Sequence, residues 1–300
     1  MSVSRSQPHV AIVTLNWNRP DDTLECLVSA TSQTHPNTFI VVVDNGSNDD
    51  SVERISAAFP DITLLQNTHN LGFASGANRG LRHAVNRGAD YIFLVNNDTT
   101  FAPDCLAHLL EYTAPDVGAL APVIYYTAEP ERPWSLGGTK HWLTLEKTGD
   151  TPKALERANA SRFLDRDYVV GCGLLFSRAM LEQVGLFDDQ FFMYYEDMDL
   201  SFRIRQNGFR ILLVPAAKMW HKVATSSGGS DSPNERYWMA RSSVLFFRKY
   251  VHGLRWLIVG PFRTGSAIKT VVRLSMHGRF RATSAYLRGL CDGLRTPLCV

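Results

Sequence analysis

Absences narrow the class of this 300-residue chain first. No run approaches the roughly 20 apolar residues that a spanning helix needs. The longest late run, Trp256–Phe262, is interrupted by Gly260 and Pro261, so the chain is not expected to cross a membrane. A secretory leader is not expected either, because the apolar run Val10–Leu15 is short and ends in Asn16-Trp17-Asn18. The five cysteines (Cys26, Cys105, Cys172, Cys291 and Cys299) form no CxxC pair and no even framework. They read as reduced, structural thiols in a cytoplasmic protein. The turn after the first apolar run, Asn16-Trp17-Asn18-Arg19-Pro20, holds no glycine. That argues against a dinucleotide-binding loop, and a Walker phosphate loop is absent too. No nucleic-acid-binding module is recognisable, and nucleic acid is not an expected partner.

What is present is enough to fold. With 45% hydrophobic residues the chain can bury a full core, which suits one large α/β domain with a smaller appendage. The formal net charge of +2 conceals an asymmetry. Residues 236–300 hold 12 Lys and Arg against one acid, Asp292, for a net of +11, while residues 1–235 carry a net of −9. The expected division is therefore a catalytic or binding domain over 1–235 and a basic helical region over 236–300. A basic tail on an acidic body points to an anionic partner.

The first hundred residues alternate strand and helix signals. Val10–Leu15, Phe39–Val43, Ile62–Gln66 and Tyr91–Val95 read as strands, and Asp21–Gln33, Ser51–Phe59 and Gly76–Asn86 as helices. This rhythm predicts a mostly parallel sheet covered on both faces. Residues 125–165, rich in Pro, Gly and charge, read as an excursion. Tyr168–Ser177 then returns as a strand, Arg178–Val184 and Glu196–Asn207 as helices, and Ile211–Pro215 as a further strand. Ala224–Asn234 has the composition of a mobile loop, and the chain from Tyr237 onward reads as helical, basic and amphipathic.

Polar clusters fall at the carboxyl ends of the predicted strands, where ligands bind in open sheets. Asn96-Asn97-Asp98 ends a buried strand with a carboxylate flanked by amides, a set that suits Mg²⁺ or Mn²⁺ shared with phosphate oxygens. An Asx turn closing the strand would give the same residues. Glu196-Asp197-Met198-Asp199 follows the aromatic stretch Phe191–Tyr195, a setting that raises a carboxylate's pKa toward that of a general base. At least one of these acids also serves the dipole of the helix it opens. Trp220-His221 offers a histidine to complete a metal shell with Asp98. Residues 70–80 place small residues at a helix mouth, where backbone N–H groups hold anions.

Taken in order, the segments VTLNWNRP, VVVDNGSND, NLGFASGANRG, FLVNNDT, GCGLLFSR, FFMYYEDMDLSFR and WHK resemble family 2 glycosyltransferases of the GT-A fold, closest to the bacterial rhamnosyltransferase-like branch. The resemblance spans about residues 8–250. It implies a Rossmann-like, mostly parallel sheet flanked by helices, and an inverting transferase that moves a sugar, rhamnose by closest likeness, from a nucleotide diphosphate donor. The acceptor it implies is a saccharide or lipid-linked saccharide in cell-surface polysaccharide synthesis.

By the same resemblance Asn16 borders the base and Asp44 bonds the base or ribose. Asn70, Gly72, Asn78 and Asn97 line the nucleotide sugar, Gly171 shapes the sugar pocket, and Arg241 lies near the phosphates. The family's Asp-x-Asp metal motif falls on Asn96-Asn97-Asp98, with Asn96 as a departure, so Asp98 becomes the principal ligand beside Asn96 and His221. Asp197 is the first choice of base, with Glu196 open. A catalytically degenerate sugar-nucleotide-binding or scaffold protein is the competing reading. For the basic tail, two readings stay open: a face on an anionic membrane at the inner side of the plasma membrane, or helices that close the core or a contact between copies.

Overall fold

The protein is described here by a computed structural model covering residues 7–141, 143–148, 152–223 and 231–298. The alternation read from the sequence appears as β1 (Val10–Asn16), α1 (Pro20–Thr31), β2 (Thr38–Asp44), α2 (Ser51–Ala58), β3 (Thr63–Gln66), α3 (Gly72–Asn86) and β4 (Tyr91–Asn96). Next come β5 (Thr99–Phe101), α4 (Cys105–Leu110), β6 (Val117–Tyr126), β7 (Glu129–Ser135), β8 (Thr139–Lys140), β9 (Lys147–Thr148), α5 (Pro152–Asn159) and β10 (Leu164–Asp165). The body ends with β11 (Gly173–Ser177), α6 (Arg178–Val184), α7 (Glu196–Gln206) and β12 (Arg210–His221). Three helices follow: α8 (Pro233–Tyr250), α9 (Trp256–Met276) and α10 (Phe280–Arg295).

Ten strands form one mixed sheet in the order β10-β12-β6-β11-β4-β1-β2-β3, with β5 on β12 and β7 on β6. β1 runs parallel to β2 and β4, and β2 parallel to β3, so their carboxyl ends share one edge. β11 runs antiparallel to β4, with Gly173 beside Val95. The chain entering β11 therefore meets the chain leaving β4, and this topology builds the site.

Alternation along the strands divides the core. Val13, Val43, Leu94 and Leu213 face one side with Ala77 and Leu81 of α3. Ile12, Phe93, Val95 and Leu120 face the other with Cys26 of α1 and Leu106 and Leu109 of α4.

Three expectations change. The strand read at Ile211–Pro215 continues to His221, because its register on β6 shifts between Val214 and Lys218 and the irregularity absorbs Pro215. The excursion read over 125–165 begins as an ordered hairpin of β6 and β7. β6 itself escapes the sequence reading because Pro122 interrupts it. That proline sits opposite Val214, where the register breaks. The strand read at Tyr168–Ser177 shrinks to β11, and Tyr168 instead forms a single bridge to Gly138. The loop read as mobile, Ala224–Asn234, lies outside the described residues as far as Ser230, and its last two residues open α8. Of the cysteines, Cys26, Cys105 and Cys172 are buried as structural thiols would be, whereas Cys291 is exposed.

The C-terminal helices differ among themselves. α8 buries Leu245, Phe246 and Phe247 against Phe202 and Phe191 of the body. It is pinned by Ser242 Oγ donating to Met193 O (2.8 Å) and by Lys249 bonding Asp188 (2.7 Å). α10 lies along α8, where Gly289 and Gly293 face Tyr237 O and Arg241 O too closely for any side chain. Among the described residues no helix is long and apolar enough to cross a membrane.

Candidate active site

The first cluster sits where β1, β2 and β4 end. Asn16, fully buried, donates from Nδ2 to Asp44 Oδ1 (2.8 Å) and to Ser47 Oγ (3.1 Å), and its Oδ1 accepts from Thr23 Oγ1 (2.6 Å). Asp44 accepts further from Ser47 N (2.9 Å) and Ser47 Oγ (2.6 Å). Asn97 Nδ2 donates to the same Thr23 hydroxyl (3.0 Å). One chain of hydrogen bonds thus links the ends of β2, β1 and β4 through Thr23, a residue without a sequence signal.

At the mouth of α3 the polar groups are engaged within the protein. Asn70 Oδ1 accepts from Gly72 N (2.8 Å), Asn45 Oδ1 from Leu71 N (3.2 Å), and Phe192 O from Phe73 N (2.7 Å). The N–H groups of Leu71, Gly72 and Phe73 are thus engaged within the protein. Gly72, at φ +81°, allows the close approach to Phe192. Asn78 uses its amide in the same way, exchanging bonds with Phe187 O (2.8 Å) and Phe187 N (3.0 Å) and reaching Asp189 Oδ1 (2.8 Å). Gly72 and Asn78 thereby fasten α3 to the loop that carries Phe191–Tyr195, while Asn70 ties the start of α3 to Asn45.

The second cluster forms around Asp98, only 3% exposed, whose Oδ1 lies 3.1 Å from His221 Nε2. Register brings them together, since His221 pairs with Thr99 on β5, directly after Asp98. Trp134 stands edge-on to the His221 ring at 4.6 Å. His221 Nδ1 and Asn96 Oδ1 are buried without a hydrogen-bond partner among the described residues. A carboxylate, an imidazole and an orphaned amide oxygen form the donor set of a hard divalent cation that completes its shell with phosphate oxygens. No group of three or more His, Cys, Asp or Glu stands ready to enclose a metal among the described residues, and the residues fit a cation shared with a ligand.

The third cluster opens α7. Tyr194 and Tyr195 both adopt left-handed backbone, φ +65° and +67°. For aromatic residues this conformation is strained and belongs to functional sites. It delivers Glu196 and Asp197 into a cavity of about 140 Å³, walled by Leu145, Lys147, Tyr195, Met239 and Phe247. Asp197 accepts from Gly171 N (3.2 Å) and Met198 N (2.7 Å). Burial raises its pKa, while the Lys147 charge and those N–H groups pull it back. Glu196 Oε2 is buried without a partner among the described residues. Burial, then the neighbouring Asp197 charge, pushes the Glu196 carboxyl well above the usual range. Asp199 is different, being bonded to Arg203 Nε (2.8 Å), Lys249 Nζ (2.7 Å) and Tyr250 OH (2.7 Å), a structural ion cluster.

A two-residue turn joins the second and third clusters. Gly171 N donates to Asp197, and the next residue, Cys172, accepts on its carbonyl from Asn96 N (3.0 Å). Arg241 lies on α8, donating to Gln190 O (2.9 Å) and lying 5.6 Å from the Trp238 ring, so what it approaches is the 187–195 loop. Lys147 and the hairpin around Leu145 escaped the sequence reading. A lone base in a polar stretch carries no signal until the fold sets it beside Asp197.

The model of the family described as "Glycosyl transferase family 2" matches residues 11–185. The chain belongs to this family. It is an inverting glycosyltransferase of GT-A fold. Among its relatives, the N-acetylglucosaminyl-diphospho-decaprenol L-rhamnosyltransferase of Mycobacterium tuberculosis is 27% identical over 83% of this chain and 88% of that protein. The dTDP-rhamnosyl transferase of Shigella flexneri is 22% identical over 80% of each chain. A mannosyltransferase of Pyrobaculum calidifontis, solved with GDP-Man and Mn²⁺, superposes with TM-score 0.60 at 18% identity, covering 98% of this chain and 77% of that one.

Proposed function

We propose that this glycosyltransferase moves rhamnose from a nucleoside diphosphate donor, dTDP-rhamnose, to a lipid-linked saccharide during cell-surface polysaccharide synthesis. Donor and acceptor are suggested by the rhamnosyltransferases it resembles, and the chemistry is supported by its own residues. One observation carries the reading: the Gly171-Cys172 turn bonds Asn96, two residues before Asp98, on one side and the Asp197 carboxylate on the other. That spacing suits a sugar seated between a leaving diphosphate and an attacking hydroxyl.

Asp98, His221 and Asn96 would hold Mg²⁺ or Mn²⁺. When bound, the cation neutralises the charge that collects on the departing diphosphate. Arg241 is proposed to add positive charge near the phosphates. Asn16, Asp44 and Asn97 would shape the nucleoside end, Gly72 and Asn78 support the loop over the sugar, and Asn70 would hold the start of α3 beside the donor. Asp197 takes the proton of the acceptor hydroxyl as its oxygen bonds the anomeric carbon. The bond from that carbon to the diphosphate oxygen breaks, and its electron pair leaves with the diphosphate. Base and leaving group on opposite faces give inversion. Asp197 is favoured over Glu196 because two backbone N–H groups and Lys147 support its charge, whereas Glu196 is pushed toward its neutral form.

Attachment to the inner face of the plasma membrane is part of the same proposal. Isothermal binding and hydrolysis across a panel of nucleotide sugars, with Mn²⁺, Mg²⁺ or EDTA, tests the donor. Metal-dependent binding and turnover of dTDP-rhamnose is expected. Preference for another sugar nucleotide would overturn the donor assignment, and silence across the panel would favour the degenerate binding protein.

A further inference from the structure

Helix α9 is unlike its neighbours. Its inward side chains, Val259 and Leu274, are fully buried. Leu257, Ile258, Phe262, Ile268, Val272 and Met276 are all exposed, Leu257 by 72% and Met276 by 80%. At 3.6 residues per turn these six fall within one arc of roughly 140°, shared with Pro261, Gly265 and, at its two edges, Ser275 and Lys269. No acid lies anywhere in α9. Arg255 and Arg273 border the Lys269 edge, Arg273 while paired with Asp231 (2.6 Å).

Two occupants fit an exposed apolar arc of this width, a second copy or a lipid interface. Charge decides between them. Arg255, Lys269 and Arg273 line one edge of the arc and α9 carries no acid to answer them, so two copies meeting through α9 would bring like charges together, whereas anionic headgroups neutralise them. The helix is not apolar enough to cross a membrane, so it would lie in the plane.

The inner side of α9 reaches the acceptor cavity. Arg255 Nε donates to Leu143 O (2.9 Å), and Arg263 Nη1 donates to Glu146 Oε1 (2.7 Å). Val259 packs in the same cluster as Leu145 and Phe247, which wall the cavity beside Glu196 and Asp197. The arc and the proposed base are thus separated by the thickness of one helix and one hairpin.

We propose that α9 lies in the headgroup region of an anionic bilayer and presents the Glu196–Asp197 cavity to acceptors anchored in that bilayer. The acceptor half of this inference rests on the glycosyltransferase reading, and the membrane half stands on α9 alone. Removing the outward apolar side chains leaves the fold intact, because they touch solvent.

The test uses the full chain and a Leu257→Ser/Ile268→Ser/Met276→Ser variant, which changes the three most exposed side chains of the arc. Both are sedimented with vesicles of equal parts phosphatidylglycerol and phosphatidylcholine, and with phosphatidylcholine alone. The parent chain is expected to bind the anionic vesicles, and the variant to bind them at least about tenfold more weakly with an unchanged melting temperature. Transfer to N-acetylglucosaminyl diphosphoryl polyprenol should fall in vesicles but persist when the acceptor is dispersed in detergent. Equal vesicle binding by both proteins, or none by either, overturns the membrane face. A parent dimer that becomes monomeric in the variant assigns the arc to a second copy and overturns it as well. Equal losses in vesicles and detergent overturn the acceptor route. Donor hydrolysis without acceptor reports separately on the glycosyltransferase reading.

Discussion

At Glu196 and Asp197 the same burial has opposite uses. Two N–H groups and Lys147 oppose the rise in the Asp197 pKa, whereas only its own backbone N–H opposes the rise at Glu196, where the Asp197 charge adds to burial. Asp197→Asn is expected to lower kcat by about 10²–10⁴-fold, with donor binding in Mn²⁺ unchanged by calorimetry. In the parent enzyme kcat should fall as pH drops through the raised Asp197 pKa. For stability the sign reverses. A carboxyl whose pKa is raised on folding contributes most below its unfolded value of about 4, and that contribution is lost as pH climbs through the folded value. Glu196→Gln should therefore stabilise the protein by about 1 kcal/mol at pH 8, since an amide has no ionised form for the unfolded chain to favour. At pH 4 the gain should vanish, and thermal melts of parent and variant at the two pH values measure the difference. The residue scale is also where the sequence was least explicit. It offered Asp98 and His221 as partners, and they lie 3.1 Å apart. It gave no hint that Asn78 spends its amide on Phe187 and Asp189, because hydrogen bonds between residues so far apart in the chain leave no local pattern.

Elements were legible where their periodicity was clean. The β-branched runs at Val10, Phe39 and Tyr91 became β1, β2 and β4 within a residue or two. β6 and the second half of β12 were not read, because Pro122 and Pro215 look like breakers until paired strands show that the register slips there. Close approaches between elements were equally hidden. A Cβ on Gly72 would meet Phe192 O at 2.5 Å, and the residue's φ of +81° is left-handed. Gly72→Ala is therefore expected to cost at least about 1–2 kcal/mol from backbone strain alone and to displace the loop that delivers Glu196. Denaturant unfolding measures the first effect and donor turnover the second. On α10, a Cβ at Gly289 would meet Tyr237 O at 2.3 Å. Gly289→Val should unseat α10 from α8, seen as faster amide exchange confined to α10. The body, which does not depend on α10 for its core, should stay protected.

For the whole molecule, charge and packing draw the boundary in different places. Charge divides the chain near residue 235, with −9 before it and +11 after. Packing carries the body further, through α8. Leu245, Phe246, Phe247 and Val251 are at most 4% exposed and belong to one cluster with Phe191, which precedes the Glu196–Asp197 pair, and with Met198 and Phe202, which follow it on α7. Burying each such side chain contributes about 1.5–3 kcal/mol, so the four together supply about 6–12 kcal/mol. That equals most of the roughly 5–15 kcal/mol by which a domain is stable at all. A chain ending at residue 235 keeps every proposed site residue except Arg241. It should nonetheless fail to unfold cooperatively, because its site loops lose the floor they pack on. Calorimetry of the truncated chain is expected to show no transition, where the full chain shows one. A cooperative transition together with retained donor hydrolysis would mean that the charge boundary is also the folding boundary. The basic region would then be an appendage for docking, with no share in the core.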